Sequence, residues 1–493
     1  MANDAFHTPF TQINLGKRQS AQTTLFKEIK SNQILLIQEP LVIRKGRIGA
    51  VPKTHQPFLA VSKDRNRAAI ILPRDLGKNS MLLGAFSNSD IVTIRSRFAS
   101  DKNIVISSVY MDGTKSLPHQ YLDQISDYAN QHSLPLIIGT DSNCHHQAWG
   151  DRITDRRGRE LLQTISRNNL VLINTGNKPT FVGHRGSSVI DLTLANKAGA
   201  DLIHSWEVDE KNSLSDHQAI RYNIKYNELI RATTRSHKRC DWGLYRELIK
   251  EELTNHPFRF QPTSDETSMN DRQNFLTRIL VKCYDQACPI VKGKFKSNVP
   301  WWTPELTEAK QSTRSKRRNA NRTKNNADWK EYRDANSAYN KLITQAKRAG
   351  WRDFCSKVKG TKAQSRINKI VNDGFKQGQL NSVKLANGTL TNSPQETLER
   401  LGEVLIPDDG TNEDQGNQQS GSDDTDTILK ILSPHRLDRA VKKLEKGKTP
   451  GLDKIRNEMI SQGWDVIQFM VRRNFIQSLT LGTTPLEWRE NRA

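Results

Sequence analysis

Leu136-Ile137-Ile138-Gly139-Thr140-Asp141-Ser142-Asn143-Cys144-His145-His146-Gln147-Ala148-Trp149-Gly150-Asp151 is a short apolar run that ends in a carboxylate, with an amide side chain two residues later. The run reads as a buried strand. Residues two apart on an extended chain point the same way, so Asp141 and Asn143 face one cleft from a strand end. The same pair also fits an Asx turn. A second fragment, Ser213-Leu214-Ser215-Asp216-His217, sets an acid beside an imidazole. A carboxylate for a metal or a water, an amide for a phosphate and an Asp–His pair are the parts that metal-assisted phosphodiester hydrolysis needs.

Outward from that stretch, residues 1–225 read as an α/β domain. Strands fit Phe10–Asn14, Gln33–Gln38, Ala68–Leu72, Ile91–Ile94, Ile104–Tyr110, Leu134–Gly139, Leu170–Asn174 and Val189–Leu194. Helices fit Ala21–Ser31, His119–Gln131 and Arg157–Asn168, the last with Leu161, Leu162 and Ile165 on one face. Many strands with few intervening helices predict packed sheets flanked by helices rather than a doubly wound sheet. Polar residues close several of these strands: Asn14, Glu39, Tyr110 and Asp141, with Asp191 inside an apolar one. A carboxylate within an apolar strand is costly unless paired or used.

The chemistry follows from residue type. Mg²⁺ takes one or two carboxylates and keeps several waters, which makes Glu39 the natural metal ligand. The neutral donors Asn14, Tyr110 and Asn143 suit a phosphate. An imidazole oriented by a carboxylate donates to a phosphoryl oxygen, which suits His217 with Asp216 or Asp191 behind it. His145 and His146 tempt as ligands, and only the motif resemblance given below makes them structural; Trp149 reads as core and Cys144 as a buried neighbour.

The chain has 493 residues and a net charge of +22, which favours a polyanionic partner, most simply nucleic acid. No apolar run is long enough to span a bilayer, and the first residues lack a signal core, so an intracellular protein without a membrane partner is expected. Five scattered cysteines with no CxxC pair read as reduced thiols and not as a zinc site. The length calls for several domains. Residues 226–410 read as a helical, basic connector; between 311 and 350 it carries 11 Lys and Arg against 3 Asp and Glu. Residues 411–427, with five acids, no base and no aromatic, read as a disordered acidic linker. A last helical region covers 428–493.

Nine pieces, in order, resemble the exonuclease–endonuclease–phosphatase superfamily and, within it, the apurinic-endonuclease-like domain of non-LTR (LINE-type) retrotransposons. They are Gln12-Ile13-Asn14, Leu36-Ile37-Gln38-Glu39-Pro40, Val109-Tyr110, Gly139-Thr140-Asp141-Ser142-Asn143, His146-Gln147-Ala148-Trp149-Gly150, Arg157-Gly158-Arg159-Glu160-Leu161-Leu162, Pro179-Thr180-Phe181, Ile190-Asp191-Leu192-Thr193-Leu194 and Ser215-Asp216-His217. The resemblance implies a four-layer α/β sandwich, two packed mixed sheets flanked by helices, over residues 1–225, followed by a mainly α-helical C-terminal half. It implies an Mg²⁺-dependent endonuclease (Mn²⁺ substituting) that nicks double-stranded DNA in the nucleus and leaves a 3′-hydroxyl to prime reverse transcription. Residue by residue, Glu39 binds the metal with Asn14 beside it, and Tyr110 and Asn143 contact the phosphate. Asp141 positions or deprotonates the water, Asp191 and Asp216 orient groups near the metal and the imidazole, and His217 stabilises the transition state. Ser142 departs from the family's aromatic or apolar residue at that place, which loosens local packing.

Trp301-Trp302-Thr303-Pro304-Glu305-Leu306 and the basic helices after it resemble the connector of the same proteins. Their basic amphipathic surface reads either as a contact for RNA or DNA phosphates, element RNA among them, or as a solvated helical hairpin that packs its aromatics inward. Leu444–Ile455 and Thr484–Arg489 resemble the entry of reverse-transcriptase fingers, with Leu452 and Lys454 where the family has Pro and Gly. The resemblance leaves the polymerase incomplete in residues 428–493. The competing readings are an abasic-site repair nuclease or phosphatase, and a non-catalytic nucleic-acid-binding remnant. Polymerase chemistry needs palm carboxylates, and the adjacent acid pairs of this half, Asp408-Asp409 and Asp423-Asp424, sit in solvated contexts. These 493 residues are therefore expected to add no dNTP to a primed template; measurable incorporation by the chain alone would refute that.

Overall fold

The computed structural model describes residues 6–489 apart from 44–45, 63, 100–101, 185, 210, 212, 227–234, 236, 257–264, 291–298, 358–364, 366–379, 406–423, 449 and 452. Residues 411–423 of the acidic stretch and the pair Asp408-Asp409 lie outside the described residues; Asp424–Ile431 is helical. Two compact units form, one from residues 1–231 with 295–401, the other from 232–294 with 402–493. The span 226–410 contributes to both.

The first unit rests on two mixed sheets. One runs β15 (Ile203–Val208), β16 (Ile220–Tyr226), β1 (Phe6–Asn14), β2 (Ile34–Gln38), β6 (Ala68–Pro73) and β5 (His55–Phe58). The other runs β11 (Val171–Leu172), β14 (Asp191–Ala195), β10 (Leu136–Asp141), β9 (Lys102–Tyr110), β8 (Ile91–Ala99), β7 (Ser80–Leu82) and β17 (Leu380–Asn381). Two short hairpins, β3–β4 (Val42–Ile43, Arg47–Ile48) and β12–β13 (Phe181–Gly183, Gly186–Ser188), complete the strands. Each sheet mixes parallel and antiparallel pairs: β1 with β2 is parallel in the first, and β10 with β9 and β17 with β7 in the second.

The period of two sorts the apolar side chains into layers. Phe10, Ile34, Leu36, Ile106 and Ile137 fill the space between the sheets. Their odd-and-even neighbours turn outward. Val105, Leu136 and Ile138 pack under the helices His119–Gln131 and Arg156–Arg167 through Leu122, Ile125, Leu161 and Ile165. On the far side, Ile13, Leu35, Ile37 and Ile71 meet Ala21 and Phe26 of the helix Gln19–Glu28. The same layer holds Trp329, Tyr332, Tyr339 and Ile343 of the helix Asn326–Ser356, which forms a hairpin with Pro304–Thr323. The architecture is thus a four-layer α/β sandwich, with the basic helical hairpin inside its outer helical layer. In the second unit, helices Trp242–Thr254, Glu266–Ala287 and Asn457–Leu481 close on Tyr245, Ile249, Phe275, Ile279, Met459 and Ile467.

Two differences from the sequence pattern have local causes. β10 continues past Gly139 to Asp141 because β9 and β14 pair with it to the end. β11 stops at Leu172 instead of reaching Asn174, whose side chain takes over the ladder: its Nδ2 donates to Asp191 O at 3.0 Å and its Oδ1 accepts from Thr193 N at 2.8 Å.

Midway along the inter-sheet space the filling turns polar. Gln12 Nε2 donates to Thr140 O (3.1 Å) and Leu192 O (3.0 Å), and Gln12 Oε1 accepts from Thr193 Oγ1 (3.0 Å). Gln38 Nε2 donates to Ser108 Oγ and Gly139 O, both at 3.1 Å. These buried amides cross-link the sheets: Gln12 uses both ends of its amide and Gln38 its nitrogen. Gly139 leaves the room for them: a Cβ there would lie 2.7 Å from Leu36 Cδ1 and 2.8 Å from Gln12 Oε1. Both neighbours are pinned, one by the core and one by three hydrogen bonds. Gly139→Ala should therefore destabilise the first unit by about 1–3 kcal/mol, the usual cost of overpacking. Urea unfolding checks this, and an unchanged midpoint would contradict it.

Candidate active site

The side chains between the sheets form successive tiers along the strands. The apolar tier gives way to Gln12, Gln38, Ser108 and Thr193, and then to a charged tier at the strand ends. In register across the second sheet, Tyr110 of β9 lies beside Asp141 of β10, which lies beside Asp191 of β14. Asn14 closes β1 opposite them. Its Nδ2 donates to Asp141 Oδ2 at 2.7 Å and approaches Glu39 Oε2 at 3.4 Å, while its Oδ1 accepts from Gly16 N at 2.7 Å. One buried amide thus touches both carboxylates through its nitrogen. Glu39 follows β2 with a left-handed backbone (φ 44°) and takes the Lys17 ammonium on Oε1 at 2.8 Å.

His217 completes the cluster. Its Nδ1–H donates to both oxygens of Asp191, at 2.8 and 3.0 Å, and its Nε2 lies 3.9 Å from Asp141 Oδ2. Asp141, Asp191 and His217 offer ligand-type atoms within 4.8 Å of one another, and all three are buried. Thr180 Oγ1 accepts from the backbone of Ile190 and Asp191, both at 3.0 Å, and Phe181 stands edge-on to the imidazole at 5.1 Å.

Burial and the like charge of Asp191 push the Asp141 carboxyl up to about 7, against the opposing pull of His217 and Asn14. Burial alone would lower His217, but the charge and hydrogen bond of Asp191 outweigh it and raise the imidazole to about 9. Burial, with Glu39 and Asp141 nearby, drives the Tyr110 phenol up to about 12, so it stays a proton donor. At neutral pH the pocket therefore holds an imidazolium clamped by one aspartate beside a carboxyl poised near its titration point.

The remaining expected residues fall as follows. Asn143, at φ 47°, donates its Nδ2 to Met111 O at 2.9 Å, and its backbone N–H reaches Asp141 Oδ1 at 3.3 Å, an Asx-type contact on the rim. Asp216 turns away from the imidazole: Arg18 holds one carboxylate oxygen and Arg317 the other, the latter at 3.4 Å. Of the two aspartates, Asp191 makes the hydrogen bond to the His217 ring. His145 pairs with Asp151 at 2.8 Å, and His146 Nδ1 accepts from Ala148 N at 2.9 Å; both are structural contacts. Ser142 is buried, its hydroxyl donating to Ile190 O at 2.7 Å, so it fastens β10 to the turn before β14 rather than loosening it.

Sequence reasoning missed Lys17, Arg18, Arg317 and Arg67. Arg67 covers the Tyr110 ring at 4.8 Å and is itself held by Asp90 and Asp112. Lone surface-type cations carry no period or motif, so only the fold brings them to the site.

Residues 104–221 match the model of the endonuclease-reverse transcriptase family. Over 72% of its length the chain is 24% identical to a retrovirus-related Pol polyprotein from the type-1 retrotransposable element R1 of Bradysia coprophila, covering 37% of that protein. Over 97% it is 22% identical to a 115 kDa protein in the type-1 retrotransposable element R1DM of Drosophila melanogaster, covering 48% of it. The chain thus spans less than half the length of these curated relatives. Among solved structures, it is similar to the endonuclease domain of TRAS1, a telomere-specific non-LTR retrotransposon, with 27% identity and a TM-score of 0.38, covering 45% of this chain and 99% of that domain.

The Asp191–His217 pair has a pH signature. A raised imidazole stabilises the fold fully below its unfolded value near 6.5 and loses that contribution as pH rises through about 9. In metal-free protein the His217 ring should titrate near 9 by NMR, and in Asp191→Asn below 7. Stability should drop by roughly 2–3 kcal/mol at pH 6 in that variant. A midpoint in Asp191→Asn as high as in the wild type would disprove the pairing.

Proposed function

We propose that this chain, a non-LTR retrotransposon endonuclease-like protein, hydrolyses one phosphodiester bond of double-stranded DNA in the presence of Mg²⁺. The observation that carries this reading is the convergence of Asn14, Asp141, Asp191 and His217 in one buried, hydrogen-bonded cluster, with Glu39 and Tyr110 on its rim.

The donor set fits a hard divalent cation. Glu39 offers a partly exposed carboxylate, and the ammonium of Lys17 already sits on it, a stand-in for positive charge. Glu39 would hold the metal, with Asn14 fixing the carboxylates around it. When bound, Mg²⁺ supplies positive charge to the phosphoryl oxygens and to the leaving oxygen. The protein's own residues account for the rest. Asp141, with its carboxyl near 7, accepts a proton from the attacking water. The Nε2–H of His217 donates to a phosphoryl oxygen as negative charge accumulates, while Asp191 keeps the ring protonated and oriented. Tyr110 and Asn143 donate to the phosphate from the rim, and Asp216 braces the His217 segment through its arginines. Attack of that water on phosphorus breaks the bond to the 3′-oxygen, which takes a proton from solvent, so the products are a 5′-phosphate and a 3′-hydroxyl, the end a longer protein would extend by reverse transcription. Genomic DNA as substrate places the action in the nucleus.

Supercoiled plasmid with the protein and Mg²⁺ should become open circles whose nicks a DNA polymerase extends directly. Glu39→Ala and His217→Ala should each slow nicking by about 10²–10⁴-fold, the scale of a lost transition-state donor or acid–base group. Nicking that survives both substitutions would exclude this site. A strong preference for abasic over intact duplex would favour a repair nuclease, and binding without cleavage a non-catalytic protein.

A further inference from the structure

Beside the His217 segment lies an open cavity of about 750 Å³, lined by Arg18 and Asp216 on one side and by the helix Asn326–Ser356 on the other. That helix turns Arg333, Ser337, Lys341, Thr344 and Arg348 toward it, spaced four, four, three and four residues apart and so on one face. Arg333, Lys341 and Arg348 are exposed and pair with no carboxylate among the described residues. The one acid in the lining, Asp216, is already clamped by Arg18 and by the fully buried Arg317. The side-chain oxygens of Asn336 and Asn340, in the same lining, are buried without a hydrogen-bond partner. Trp329 and Tyr332 form a packed floor. The lining thus combines unpaired cations and hydroxyls, with no unneutralised acid.

We infer that this groove binds the sugar–phosphate backbone of the DNA flanking the cleaved bond. The inference rests on the proposed nuclease reading for its choice of DNA. Two features support it. Asp216 lines the groove while the next residue, His217, points into the catalytic cluster, so a strand leaving the cluster on that side enters the groove. Its length also fits: Arg333 to Arg348 spans about 22 Å at ~1.5 Å per residue, matching roughly six nucleotides of one strand at ~3.4 Å each. A helix outside the sheets thereby extends the substrate site, contributing to binding and not to the chemical step.

The test uses the full chain and a labelled duplex oligonucleotide in EDTA, so that binding is read without cleavage. The triple variant Arg333→Ala/Lys341→Ala/Arg348→Ala removes the groove cations. Lys324→Ala/Lys330→Ala/Arg352→Ala removes equal charge from exposed positions of the same helical region outside the groove. The groove variant should bind at least ~10-fold more weakly, and its slope of log affinity against log salt should flatten by about 2–3, at ~0.9 per lost phosphate contact. The control should change that slope by less than about one contact's worth. With Mg²⁺, the groove variant should show a raised KM and an unchanged kcat. Equal losses in the two variants overturn the inference, as does a loss confined to single-stranded RNA with duplex binding intact. If the wild type fails to nick yet the groove variant alone loses duplex affinity, the groove stands and the nuclease reading falls.

Discussion

Two carboxylates in register on neighbouring strands, both buried, cannot stay ionised side by side without compensation. Asp141 and Asp191 occupy that position, and much of the surrounding structure answers it. His217 brings a positive charge onto Asp191, and Asn14 brings an amide donor onto Asp141 across the gap between the sheets. Thr180 holds the backbone that presents Asp191, and Ser215 donates to the carbonyl of Asn14 at 2.6 Å, tying the His217 segment to β1. The cluster is therefore a joint between the two sheets as well as the candidate active site.

This double role explains the inter-sheet filling. A purely apolar interface would allow the sheets to slide, and a shift of an ångström would part Asn14 from Asp141. Gln12 and Gln38 reach backbone carbonyls of the opposite sheet with directional bonds, so the alignment is fixed one tier below the reacting groups. The glycine at 139 is required for the same reason: any side chain there would displace the amide that sets the alignment.

Much of this was legible in the sequence because it obeys a period of two. Phe10, Gln12, Asn14 and Ile137, Gly139, Asp141 each run from apolar through neutral to polar, and a reader who assigns the strands also finds the charged tier. Packed sheets flanked by helices followed from the strand pattern, and the four-layer sandwich from the family resemblance. Glu39 was legible as a strand-end acid, though not its left-handed turn toward Asn14. Short or edge strands were not legible: β5 and β7 have four and three residues, and β15 is largely exposed, so neither length nor period distinguishes them from loops. The choice between Asp191 and Asp216 as the partner of His217 was also beyond the sequence. Both are near in chain or pattern, and only the register of β14 against β10 puts Asp191 on the imidazole.

The helical hairpin 304–356 illustrates what patterning alone leaves undecided. The period of its aromatics does not say whether they pack inward or meet a partner, and the structure shows them packed inward. Trp329, Tyr332, Tyr339 and Ile343 bury against the first sheet, which fixes the helix in place. That anchoring orients the other face. Arg317, carried by the first helix of the hairpin, reaches Asp216 and the carbonyl of Val182 with no exposure to solvent. An arginine about 100 residues from His217 in sequence, |i−j| 101 from Asp216, thus bears on the loop that positions the imidazole. The hairpin is consequently part of the first unit's architecture. Cutting the chain after residue 225 would remove a packing layer and leave Asp216 with one arginine where the intact protein gives it two.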